Sequence, residues 1–494
     1  MNPPVKKATV KTSASDVAAW RDKPDDGLMS GPRGPRADDG YRGIRLMIWL
    51  YFWLLLFEGV LRKWVFPGAS NALIIVRDPV VALCYLIALK NGKFPGGAFV
   101  GSALILGVVS VMVSLAAGST GAIQGVLLIT AFGFHANFFH IPMIFLIRDA
   151  FDRERLRAIG KWALLIAPLT AVLVFLQYKS PGDAWVNRGA GKDSAQIWAG
   201  VGGIDKIRPA GLFSYNTGNA AYLSLVAAFL LNAVLVKKEL SQKIAVIGAA
   251  SLAVAGSLSI SRTCVFSIVL VFIAAGLCTL MAPKLSTRSV LIAALVGILY
   301  LIVSHFSVLG EGITILQQRV EDAGGMKEGG SDRFLDTFIE PFRVMDRAGF
   351  LGAGLGRGTN AAGGLLRGER QFMLGTENEW ARHILESGLI LGGAFILWRI
   401  ALFFRLLSVS LTALQALNPL PMLLFSACFL LVLNAPIGIP MTLGFVVMGA
   451  GMTLAAAKES DTASLDDMLP AEADRPVVRG RSLYAEKLHS GRPV

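Results

Sequence analysis

The sequence predicts an all-α integral membrane protein, with about twelve transmembrane helices beneath a helical exoplasmic cap. Three observations predict it. The chain of 494 residues is 54% hydrophobic with a mean hydropathy of +0.58. Only 16% of it is charged, against roughly a quarter in a soluble domain. Apolar runs long enough to cross a bilayer recur along it, and the short basic loops between them alternate in the manner of a positive-inside topology.

Residues 1–42 are polar, rich in Pro and Gly and mixed in charge, which predicts a disordered cytoplasmic tail. No cleavable signal peptide is expected. The first apolar run begins only near Ile44 and is too long for an h-region, so it is expected to be the first anchor. Residues 43–457 form the membrane domain. Its candidate spans lie near 44–61, 72–89, 98–117, 123–147, 158–177, 217–236, 244–260, 264–281, 289–308, 384–404, 419–433 and 438–457. The fourth contains Gly133, His135, Asn137, His140 and Pro142, and is expected to be broken or kinked. Breakers from Asn434 to Pro440 predict a tight turn between the last two spans. Residues 458–494 are again polar and are expected to be disordered in the cytoplasm.

With the N-terminus inside, the short cytoplasmic loops carry Lys90, Lys93, Arg148, Arg153, Lys237 and Lys284 among others. The short loops of the other face carry only Arg62, Lys63 and Arg262. An even number of spans returns the C-terminus to the cytoplasm. Two longer exoplasmic loops remain, 178–216 and 309–383. Within the second, Phe334, Leu335, Phe338, Ile339 and Phe342 share one face of a helix over 333–347. That pattern predicts an amphipathic helix at the membrane surface, kinked at Pro341.

The net charge of +13 follows from this topology and from attraction to anionic lipid headgroups, so no nucleic-acid partner is expected. Cys84, Cys264, Cys278 and Cys428 lie in or beside apolar runs and read as small buried hydrophobes. The histidines form no HxxxH or HExxH pattern, and the loops show no acidic cluster. No metal and no cofactor are predicted.

The candidate site is a set of fixed charges on the exoplasmic side. Arg262 stands in Ser259-Ile260-Ser261-Arg262-Thr263, a turn between two apolar runs where a charge is costly. Snorkelling to the interface is the bland alternative. Arg208 stands in Arg208-Pro209-Ala210-Gly211-Leu212, and Arg333 opens the amphipathic helix. A guanidinium pairs bidentately with phosphate oxygens, and fixed arginines would stabilise charge growing on a departing diphosphate. Before the tenth span comes Thr376-Glu377-Asn378-Glu379-Trp380. Glu377 or Glu379 could take the proton of an attacking sugar hydroxyl, with His383 a competing base; capping of the following helix is the alternative for the acids. Gly352-Ala353-Gly354-Leu355-Gly356-Arg357-Gly358 reads as a tight glycine turn re-entering the membrane surface rather than a nucleotide loop.

These motifs resemble, in order, those of the superfamily of O-antigen ligases and O-antigen or exopolysaccharide polymerases. Arg208 to Leu212 followed by Phe213-Ser214-Tyr215-Asn216 is similar to its first exoplasmic arginine motif, and Ser261-Arg262-Thr263 to its second. Arg333 with Phe350 to Gly356 resembles its long loop, and Glu377-Asn378 with Glu386-Ser387-Gly388-Leu389 the segment leading out of that loop. The resemblance covers about residues 44–456 and rests on order and topology more than on the short motifs. It implies a GT-C-like, metal-independent glycosyltransferase of the bacterial inner membrane. Such an enzyme passes a glycan from a polyprenyl diphosphate to a glycan or lipid acceptor hydroxyl, with inversion. On this reading Arg208, Arg262 and Glu377 are catalytic, and Arg333, Asn378, Glu379 and His383 bind substrate. Ligases commonly carry His-Asn where this chain has Glu377-Asn378, which favours a polymerase or a separate branch. A transporter or flippase for lipid-linked saccharides is the alternative, with Arg77-Asp78 and the polar fourth span lining a path. A non-catalytic scaffold in an assembly complex is a weaker third.

Overall fold

The computed structural model describes residues 40–117, 123–191, 207–236, 239–286, 289–321, 332–359, 376 and 378–468. The described residues are helical, with short connecting turns and no strand. Among them, nine helices are long and apolar enough to cross a membrane, or ten if the bent pair Ser289–His305 and Ser307–Gln318 is one span. The other two of the twelve expected positions hold shorter apolar helices, Gln242–Leu258 and Leu420–Asn434.

Chain order gives α1 (Arg42–Val60), α2 (Asp78–Lys90), α3 (Ala98–Ala117), α4 (Ile123–Phe134), α5 (Ile141–Ala150) and α6 (Arg153–Lys179). Then follow α7 (Asn216–Leu235), α8 (Gln242–Leu258), α9 (Arg262–Met281), the short α10 (Pro283–Ser286) and α11 (Ser289–His305). The remainder are α12 (Ser307–Glu321), α13 (Asp332–Arg343), α14 (Met345–Ala348), α15 (Glu379–Gln415), α16 (Leu420–Asn434) and α17 (Pro440–Met468).

The central helices are α7 and α17, whose most apolar windows are 89% and 94% buried. Small side chains let neighbours approach them, as is usual where lipid supplies no hydrophobic drive between helices. Gly218 of α7 receives the Met441 side chain, and Gly449 of α17 faces Cys428 of α16. The α2 and α3 windows are only 28% buried, so their apolar surfaces face outward, where lipid would cover them. All four cysteines are buried as free thiols.

Helix starts follow local chemistry. Ser261 caps α9 by accepting from Cys264 N, and Asn378 caps α15 by accepting from Trp380 N and Ala381 N, so part of the set of orphan first-turn amides is met. The break in the fourth span is a π turn, His135–Phe139, between α4 and α5. A second π turn, Leu61–Val65, prolongs α1. It overturns the reading of Arg62 and Lys63 as loop charges, since both are buried at the end of a helix.

Two further departures concern the long second loop. A 98° bend follows α11, and the chain continues as α12 rather than as an open loop. Within α15, Gly388 has φ 75° and ψ 178°, which breaks the helix into a short arm, 379–387, and a long arm, 389–415. The His383 and Phe395 rings are 4.7 Å apart, so the arms lie side by side. The expected span at 384–404 is thus a helical hairpin turning at Gly388.

Candidate functional site

The first arginine motif is held from below. Gln177, near the end of α6, accepts from Gly211 N at 2.8 Å, and its Nε2 donates to Gly211 O at 3.4 Å. Lys63 Nζ donates to the same carbonyl at 2.7 Å. Gly211 has φ +59°, and a Cβ there would press on Thr170 and Asn219. The turn therefore needs glycine for both its backbone and its packing. Arg62 Nη1 donates to Ser214 Oγ at 3.2 Å, fixing the far end of the motif. Just upstream of these anchors Arg208 is partly exposed, while Pro209 and Ala210, and Leu212 between the anchors, are buried.

Arg262 opens α9 and is also partly exposed. The turn before it holds Ile260 at φ 45°, a left-handed conformation that is costly for a β-branched residue. Ser259 Oγ accepts from Ser261 N at 3.3 Å across this turn. Helices α6 and α8 pack along each other, with Leu164 beside Gly248 and the adjacent α12 residues Glu311 and Gly312 meeting Tyr178 and Ser257 at their C-terminal ends. Those ends, which carry the Arg208 motif and the Arg262 turn, therefore share one end of the bundle, with α12 spanning between them.

Under this end runs a polar chain, buried from Glu58 to His140 and partly exposed at Asp78 and His135. Glu58 Oε1 accepts from Arg62 at 3.2 Å, and its Oε2 lies 3.3 Å from Arg77 Nε. Arg77 also donates to Tyr51 Oη at 3.2 Å and to the carbonyl of Pro440. The Tyr51 hydroxyl is 3.0 Å from His140 Nδ1, and His140 Nε2 is 3.1 Å from Asp78 Oδ1. Asp78 Oδ2 is 2.7 Å from His135 Nδ1. Sequence reading singled out Arg77-Asp78 and the polar residues of the fourth span, but it gave no sign that Glu58 and Arg62 join them.

A second buried network surrounds the short arm of α15. Glu379 Oε1 accepts from Arg382 at 2.7 Å and from Ile437 N at 3.1 Å, with His383 Nε2 at 3.2 Å. Arg382 also donates to Glu386 Oε1 and to Asn137 Oδ1, each at 2.9 Å. Glu386 accepts from Gly356 N at 3.0 Å and from Gly358 N at 2.8 Å. The glycine turn is thus bound to the bundle by a carboxylate. Its backbone is also wedged between helices: Cβ atoms at Gly352 or Gly356 would overlap Gly388 N or Ile129 O. Beside it, α3 and α4 leave an open apolar cleft of about 340 Å³, lined by Val108, Met112, Leu127, Ala131 and Phe134.

The expected site residues therefore divide. Arg208 and Arg262 are partly exposed at one end of the bundle. Asn378 is a helix cap whose Nδ2 donates to Thr337 O of α13 at 2.9 Å. It joins the amphipathic helix to α15 rather than presenting an open amide. Glu379 and His383, expected to bind substrate, face inward and are 4% and 2% exposed. Their groups meet Arg382 and each other. Arg333 belongs to α13, but its side chain lies outside the described residues, as does the whole of Glu377. On α13 the apolar face is divided: Phe338 packs edge-on against Trp380 at 5.1 Å, while Leu335, Ile339 and Phe342 remain exposed.

Comparison with protein-family models, curated proteins and solved structures finds no match to this chain.

Proposed function

We propose that this chain is a membrane glycosyltransferase. It moves a glycan from a polyprenyl-diphosphate donor to an acceptor hydroxyl during polymerisation or ligation of surface polysaccharide at the outer face of a bacterial inner membrane. One observation carries this reading. Arg208 is partly exposed on a motif braced by Gln177, Lys63 and Arg62, at the bundle end that also bears Arg262.

The chemistry follows from rigid placement. The acceptor oxygen attacks the anomeric carbon as the bond to the diphosphate oxygen breaks, which inverts that carbon. The acceptor proton passes to a carboxylate, for which Glu377, next to the Asn378 cap, is the proposed base. Negative charge grows on the departing diphosphate, and guanidinium groups held by a stiff backbone stabilise it without reorganising. The apolar cleft between α3 and α4 offers a seat for part of the isoprenoid chain. Glu379, His383, Arg382 and Glu386 act at one remove, by fixing the short arm and the glycine turn.

The test is replacement of Arg262 by Ala, with surface polysaccharide resolved on a gel. Loss of polymer, or accumulation of unpolymerised units, is expected at normal protein level. Unchanged chain length and amount would overturn the reading.

A second reading, transport of a lipid-linked saccharide, is favoured by the mostly buried polar chain from Ser214 through Glu58 and Arg77 to His135. Ionisable groups inside a membrane commonly mark a pathway. Uptake of labelled lipid-linked glycan across liposomes without a new glycosidic bond would select it.

A further inference from the structure

The structure assigns a divalent metal site to Asp78, His135 and His140, with a first-row transition metal, zinc above all, as its ligand. Their ligand atoms lie within 4.8 Å of one another. This site does not rest on the glycosyltransferase reading and would stand if that reading failed.

The backbone explains why the site is invisible to spacing rules. On an α-helix, ligand pairs fall three or four residues apart, whereas these histidines are five apart. The π turn His135–Phe139 hydrogen-bonds five residues along and brings positions 135 and 140 onto one side. Their ring centroids are 5.3 Å apart. Asp78, at the start of α2, sits between them, with one carboxylate oxygen 2.7 Å from His135 Nδ1 and the other 3.1 Å from His140 Nε2. Ligand atoms about a tetrahedral zinc stand roughly 3.3 Å apart, given metal–ligand bonds of about 2.0–2.2 Å. The two nitrogen–oxygen gaps, which run to different carboxylate oxygens, must open by about 0.2–0.6 Å to reach that spacing, and the ligand atoms, now within 4.8 Å of one another, must draw in to match it.

Three other features fit a metal. His140 Nδ1 is 3.0 Å from the Tyr51 hydroxyl, which leaves Nε2 directed at Asp78. A polar partner on the far nitrogen is the usual outer support of a metal-bound imidazole. His135 Nε2 is buried with no hydrogen-bond partner among the described residues, so this ring is not committed elsewhere. Asp78 keeps 22% side-chain exposure, which supplies an entry path. The nearby Arg77 would oppose a cation, but Glu58 Oε2 lies 3.3 Å from its Nε and offsets that charge. Two imidazoles and one carboxylate leave a fourth position for water, the pattern of an open site.

The test uses the full-length protein purified in detergent. It is stripped with chelator, exposed to zinc alone, dialysed and measured for bound metal, with X-ray absorption to read the ligands. One zinc per chain with nitrogen and oxygen ligands is expected. Asp78→Asn and His140→Ala should lose stoichiometric binding, and Tyr51→Phe should bind about 10–100-fold more weakly. Zinc that is absent from the wild type, or is retained equally by His135→Ala and His140→Ala, would overturn the site. Should either alanine variant misfold, His135→Gln keeps the volume of the ring; it too must lose the metal.

Discussion

Arg399 Nη1 stands 3.6 Å from Glu379 Oε1, although a straight helix would hold these two positions about 30 Å apart. The chain must double back between them, and it does so at Gly388. The long arm of α15 therefore braces the short arm that carries Glu379, Arg382 and Glu386. Arg399 completes the brace by donating to Val432 O at 2.9 Å and to Ala435 O at 3.1 Å. The turn before α17 is thus tied to the same point.

Gly388→Ala tests that hinge. The position has φ +75°, and a Cβ there would overlap the Phe350 carbonyl. Both effects act together, so a loss of about 2 kcal/mol or more is expected. A clear fall in the detergent melting temperature should result. Gly393 has open space at its Cβ, so Gly393→Ala should leave the melting temperature nearly unchanged.

The Arg382 network makes a stronger demand. Replacing Arg382 by Met leaves the buried Glu379 and Glu386 without the cation they share. Removing one member of such a network typically costs about 3–5 kcal/mol. Poor yield or a large drop in thermal stability is expected for Arg382→Met. Glu386→Gln should be milder in stability but should loosen the glycine turn. Faster amide exchange at Gly356 and Gly358 would report that loosening.

Apolar helices were legible in the sequence, because lipid-facing and buried ones are both apolar throughout; among the described residues nine, or ten with the bent pair, are long enough to cross a membrane, against the twelve expected. The break near His135 was legible too, from Gly133 and Pro142. What lay hidden depended on backbone irregularity. Hydropathy treats Arg62 and Lys63 as the edge of a loop, because nothing in it signals that a π turn carries them into the bundle. The pairing of Glu58 with Arg62 and Arg77 links separate segments, and the hairpin at Gly388 depends on a φ value that glycine permits but does not demand. Arg208 and Arg262 could be assigned to one face from topology. The anchors that fix their backbone, Gln177 and Lys63, could not, since a buried amide and a buried lysine have no sequence signature.

Orientation can be read chemically. All four native cysteines are buried, so the unmodified protein should react little with a membrane-impermeant maleimide. Phe350, 73% exposed, is expected on the outer side. Phe350→Cys should label in intact cells with a permeabilised outer envelope. Gln242→Cys, at the opposite end of the bundle, should label only after the inner membrane is opened. The reverse pattern would invert the topology.

Lys63→Met isolates the support of the first arginine motif. The stem keeps its packing while the donor to Gly211 O, now at 2.7 Å, is removed. Protein level and melting temperature should change little. Hydrogen exchange over residues 210–215 should rise, and polysaccharide output should fall with it.

The most direct measurement is glycan transfer by purified protein supplied with a polyprenyl-diphosphate oligosaccharide and an acceptor. A new glycosidic product is expected, with turnover falling about 100-fold or more when Arg208 or Arg262 becomes Lys. Absence of any product from well-folded protein, or Lys variants that turn over like the wild type, would contradict the account.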